Sequence, residues 1–71
     1  MTQSPADPRQ AVENALLEDP RTTEAILDVA NNRGVITLTG TVDSEEIRQA
    51  AEEIARQQPG VLTVVNELKV E

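Results

Sequence analysis

Val35-Ile36-Thr37-Leu38-Thr39-Gly40-Thr41-Val42 alternates apolar and hydroxyl side chains along its length. With a side-chain period of two, Ile36, Leu38 and Val42 face one way and Thr37, Thr39 and Thr41 the other. That is the pattern of a strand with one face in a core and one in water. Just upstream, Ala25-Ile26-Leu27-Asp28-Val29-Ala30 reads as another strand, with Leu27 and Val29 on one face. Asn31-Asn32-Arg33-Gly34 between the two is turn chemistry, because Asn and Gly tolerate positive φ. The segment 25–42 is therefore expected to form an antiparallel hairpin, apolar on one side and a threonine ladder on the other.

Downstream of the hairpin the period changes to that of a helix. Asp43 is the expected cap, Glu46 follows three residues later, and Val42 and Ile47 are placed for a hydrophobic staple. Ile47, Ala50, Ala51, Ile54 and Ala55 make one apolar face, with Glu45, Arg48, Glu52, Glu53 and Arg56 mostly outside it. Pro59-Gly60 ends this helix, and Val61 to Val70 reads as a third strand in which Val64, Leu68 and Val70 share a face with Asn66 between them. A helix that joins two strands is usually a crossover, so the third strand is expected parallel to the second, on a right-handed path. Toward the amino terminus, Asp7 caps a helix with Pro8 in its first turn, and Ala11, Val12, Ala15 and Leu16 form a narrow apolar stripe. Pro20 disfavours helical geometry at Asp19, which ends this helix near Glu18. Residues 1–6 read as a disordered tail and residues 7–71 as the domain.

The predicted class is α+β: a two-layer α/β sandwich in the order α-β-β-α-β, with both helices on the apolar face of a small three-stranded mixed sheet. Strand order is open at this point. If the third strand pairs with the second, the first is an edge; otherwise the second becomes one. The supply of 18 Val, Leu and Ile suffices for one layer of core, so no deep internal pocket for a small molecule is expected.

Composition narrows the function. The chain has 71 residues, a formal charge of −7, and no Cys, His, Phe, Tyr or Trp. Thiol nucleophiles, Ser-His and Cys-His triads and zinc sites on sulfur or imidazole are therefore excluded. Stacking platforms are missing, and 6 Lys+Arg against 13 Asp+Glu give no basic footprint for nucleic acid. The paired carboxylates Glu45-Glu46 and Glu52-Glu53 suggest acid–base or metal chemistry, but neighbours along a helix do not face each other, and a solvated helix face accounts for them. Gly34, Gly40 and Gly60 match no phosphate-binding loop; a turn, a close helix approach or bulge, and a helix exit explain them in that order. Asp43-Ser44 is similar to the attachment site of acyl carrier proteins, but Glu45 replaces the leucine and the strands contradict an all-helical carrier. No catalytic, cofactor-binding or metal-binding residue is assigned, and neither nucleic acid nor a small-molecule substrate is an expected partner.

Read together, these elements resemble a BON domain, the module of bacterial osmotic-stress and nodulation proteins. The resemblance runs from about Val12 to Val70. It is carried by Ala15-Leu16 before Asp19-Pro20, by Leu27 and Val29, by Gly34-Val35-Ile36-Thr37-Leu38-Thr39-Gly40-Thr41-Val42, by Arg48, Ala51, Ile54 and Ala55, and by Gly60-Val61, Val64, Asn66, Leu68 and Val70. It implies the same α-β-β-α-β order and a non-enzymatic module, usual in the bacterial envelope and often fused to other domains. It also implies attachment to a phospholipid membrane or to another envelope protein.

Two functions follow as expectations. For membrane or envelope attachment, the contact residues fall on the first helix and its flanks: Arg9, Leu17 and Arg21. For a soluble acidic interaction or regulatory adaptor, the partner surface is the threonine ladder Thr37, Thr39 and Thr41 with the outer side of the second helix, Glu45, Arg48 and Glu52. The amino terminus has neither a basic nor an apolar leader region. A complete chain would thus be expected in the cytoplasm, and a domain of a longer bacterial protein in the periplasm or envelope.

Overall fold

Asp7 opens the first helix by accepting the Arg9 N–H on Oδ1 at 2.9 Å, with Pro8 where a missing N–H costs nothing. The computed structural model describes residues 7–23 and 25–71, so the tail expected over residues 1–6 lies outside the described residues. Helix α1 (Pro8–Glu18) ends as expected, at an extended Asp19 before Pro20. Its last turn is closed from outside: the buried Thr22 hydroxyl donates to the Leu16 carbonyl at 2.6 Å.

Strands β1 (Ile26–Asn32) and β2 (Val35–Val42) form the hairpin. The turn is tighter than expected. Only Arg33 (φ 56) and Gly34 (φ 91) leave the ladder, as a two-residue turn with both φ values positive requires, while Asn31 and Asn32 stay paired with Ile36 and Val35. The Asn31 side chain locks the corner by accepting the Gly34 N–H at 2.9 Å.

Helix α2 (Glu45–Arg56) is capped by Ser44 rather than Asp43. Ser44 is extended, its Oγ accepts the Ile47 N–H at 3.2 Å, and its carbonyl takes the first helical bond from Arg48. The one-residue shift moves Val42 and Ile47 off the staple positions; Val42 is buried and Ile47 is partly buried against the core. Glu45 and Glu46 remain in the first turn, where they complement the helix dipole.

Strand β3 (Thr63–Val70) starts two residues later than the pattern suggests, because the Leu62 and Thr63 N–H groups both turn to the Gly34 carbonyl. It lies parallel to β2, and the sheet order is β1-β2-β3, which places β2 in the middle and leaves β1 and β3 as edges. Helix α1 covers β1, and α2 covers β2 and β3. Between the layers, Val12 and Leu16 of α1 and Ala51, Ile54 and Ala55 of α2 meet Val29, Ile36, Leu38, Val42 and Leu68 of the sheet. Full burial of each large aliphatic side chain in this layer is worth about 1.5–3 kcal/mol.

Gly40 is required by the sheet itself, not by a helix. A Cβ there would stand 2.5 Å from the Ile26 carbonyl oxygen and 2.8 Å from the Leu27 Cα, so β1 and not a helix makes the close approach.

Candidate functional site

Helix α1 crosses above β1 and leaves an open cleft of about 470 Å³ along the strand's outer side. Leu16, Leu17 and Leu27 give it an apolar floor, and Arg9, Glu13 and Asn14 a polar rim. Leu17 is 64% exposed on the helix beside its buried neighbour Leu16. A second open cleft of about 600 Å³ lies where Pro20 and Arg21 meet the start of β1 and the end of β2. The structure therefore brings Arg9 and Leu17 to one cleft and places Arg21 at the other.

Both arginines are engaged with carboxylates. Arg9 Nη1 lies 3.1 Å from Glu13 Oε1 on the same helix. Arg21 grips Asp19 with its guanidinium (3.1 Å to each carboxylate oxygen) and with its backbone N–H at 2.8 Å. Those bonds, led by the guanidinium, hold the Asp19 carboxyl below its ordinary range, and Asp19 in turn raises the Arg21 guanidinium. Arg48 pairs with Glu45 and Arg56 with Glu52.

The outer side of α2 is tied to the sheet. Arg48 Nε donates to the Leu68 carbonyl at 3.1 Å and Nη2 to the Asn66 carbonyl at 3.5 Å. Asn66 returns Nδ2–H to the Arg48 carbonyl at 3.0 Å and to Glu52 Oε1 at 3.2 Å, and accepts the Leu68 N–H at 3.1 Å. Arg48 and Glu52, named from the sequence as partner-facing, are thus part of the joint between α2 and β3. Asn66, whose place in the third strand carried no assigned role, is its hub.

Thr37, Thr39 and Thr41 stand on the sheet face away from the helices, the first two half-buried and Thr41 exposed. The register extends this face into rows: Ala30, Thr37 and Val65; Asp28, Thr39 and Glu67; Ile26, Thr41 and Lys69. Two acids therefore flank Thr39, and Ile26 is 85% exposed at the end of the face. Among the described residues no group of three or more acidic side chains could hold a metal ion, and no helix is long and apolar enough to cross a membrane. The family model of the BON domain matches residues 6–71, and no curated protein matches the chain.

Proposed function

From the premise that this chain belongs to the BON domain family, matched over nearly its whole length, we propose that it is a non-catalytic binding module that attaches to a phospholipid membrane in the cell envelope. The observation that carries the reading to a place on the molecule is Leu17, exposed on α1 with Arg9 on the same cleft and Arg21 on the loop beyond. Burying such a side chain in the acyl boundary of a bilayer is worth about 1.5–3 kcal/mol. Because Arg9 and Arg21 already carry carboxylate partners, the attraction is apolar more than coulombic. The response to neutral lipid should then match or exceed that to anionic lipid, and added salt should leave it nearly unchanged.

An amide NMR titration of the labelled domain with neutral and then anionic bicelles, at low and physiological salt, tests this. Shifts clustered on Arg9, Leu17 and Arg21 are expected, and their loss in Leu17→Glu. A spectrum in which α1 never moves with either lipid overturns the reading.

A second reading, attachment to another protein, is favoured by a different observation. Among the described residues the strand β1 is an unpaired edge of the sheet, in an acidic chain of charge −7, which steers basic partners.

A further inference from the structure

The two outer edges of the sheet differ. In β3 the parallel register, with the Glu71 N–H on the Val42 carbonyl, turns the main-chain groups of Thr63, Val65, Glu67 and Lys69 toward β2 and those of Asn66 and Leu68 outward. Three of these four outward groups are occupied. Arg48 takes the Asn66 and Leu68 carbonyls, and Asn66 Oδ1 takes the Leu68 N–H. Side chains thus close the middle of the β3 edge to any further strand.

The β1 edge has no such closure. Asn32 and Val35 flank the two-residue turn as a hydrogen-bonded pair, so alternation directs the main-chain groups of Leu27, Val29 and Asn31 away from β2. Among the described residues, no other element and no side chain bonds to them. The α1–β1 cleft, floored by Leu16, Leu17 and Leu27, meets this edge at Leu27 on the helix side. On the open face Asp28 stands in register with Thr39 and, through it, with Glu67. A strand laid along β1 would send alternate side chains toward the leucines of the cleft and the others beside Asp28.

We propose that the outer edge of β1 takes an extended segment of a partner protein as a fourth strand, one whose side chains alternate between apolar and basic. This rests on the protein-attachment reading and specifies its site. Main-chain hydrogen bonds from Leu27, Val29 and Asn31 supply affinity, and the cleft and Asp28 select the side chains. Charge argues against a second copy as the occupant, since each chain carries −7 and the cation that lines the cleft, Arg9, is paired with Glu13.

The test uses a short synthetic peptide that alternates lysine with valine or leucine, titrated into the labelled protein at low and physiological salt. A block-ordered peptide of the same composition, and the alternating peptide N-methylated on every other amide, serve as comparators. The expected result is saturable shifts and slowed exchange at the Leu27, Val29 and Asn31 amides with the alternating peptide, and loss of saturable binding with both comparators. Leu17→Glu, at an exposed position, should weaken binding without unfolding the chain. Equal binding of the N-methylated peptide would mean charge attraction without strand addition and overturns the proposal. Saturable shifts confined to α2 or the open face overturn the β1 site while the protein-attachment reading stands. Silence toward every peptide overturns the strand site, and capture of a partner elsewhere on the surface then decides the broader reading. A free chain that sediments as a dimer with β1 amides already protected overturns the choice of occupant.

Discussion

Arg48 and Asn66 each hold the other's main chain: the Arg48 guanidinium donates to the Asn66 carbonyl, and the Asn66 amide donates to the Arg48 carbonyl at 3.0 Å. The pair joins residues on separate elements, and it fastens α2 to β3 beside the apolar contacts that Leu68 makes in the core. The same bonds occupy main-chain groups of Asn66 and Leu68 on the β3 edge, so one device both joins the layers and covers the middle of that edge.

Asn66→Ala removes every bond of this side chain and should cost about 1–3 kcal/mol of stability, read from urea unfolding followed by far-UV circular dichroism. Arg48→Lys keeps the charge but not the planar fork that spans two carbonyls, so it should recover little of the loss seen in Arg48→Ala. An Asn66→Ala chain as stable as the parent would show that the joint is ornamental.

Gly40→Ala should destabilise by about 2 kcal/mol or more, because the new methyl meets backbone and the φ of 132° is unfavourable to any L side chain. The obstacle is the Ile26 carbonyl and the Leu27 Cα, which cannot turn aside as a flexible side chain would. The loss should appear as a lowered urea midpoint with faster amide exchange in β1, and an unchanged midpoint would contradict the close approach.

Thr22→Val tests the closure of α1. The valine keeps the shape but strips the O–H from the Leu16 carbonyl, a buried contact at 2.6 Å, for an expected loss of about 1–2 kcal/mol. Thr22→Ser keeps the donor and should lose only about 0.8 kcal/mol for the missing methyl. If serine proves the worse of the two, packing rather than the hydrogen bond holds this corner.

Asp19 makes a small part of the stability acid-sensitive. Its folded pKa is depressed by Arg21, so the contribution is present above the unfolded carboxylate value of about 3.9 and is lost as pH falls through the lower folded value. Arg21 stays charged throughout that window. Thermal melts of the parent and of Asp19→Asn should therefore converge in strong acid and separate toward neutral pH, with the parent the more stable. A gap that persists undiminished in acid would place the effect in something other than the Asp19 charge.

How far each feature could be read ahead follows from the range of the interaction behind it. The order of elements, the face each buries and the end of α1 come from side chains within a few residues of one another, and period and capping report those directly. Ser44 displaced Asp43 as the cap because two adjacent residues can both accept from the helix start, and the backbone path decides between them. Likewise either asparagine could have entered the turn, but a two-residue loop between paired strands admits only Arg33 and Gly34.

By itself, then, the sequence determined an α-β-β-α-β sandwich with no thiol or imidazole chemistry and a surplus of negative charge. Only the tertiary structure decided that β2 is central, that Gly40 sits against β1, and that Arg48 serves two carbonyls of β3. It alone left the β1 edge, among the described residues, open beside the cleft under α1. The reason is physical: a guanidinium or an amide on a polar face has the same local pattern whether it meets water or a carbonyl many residues away. Which of these it meets depends on strand order, a long-range choice that no local period encodes.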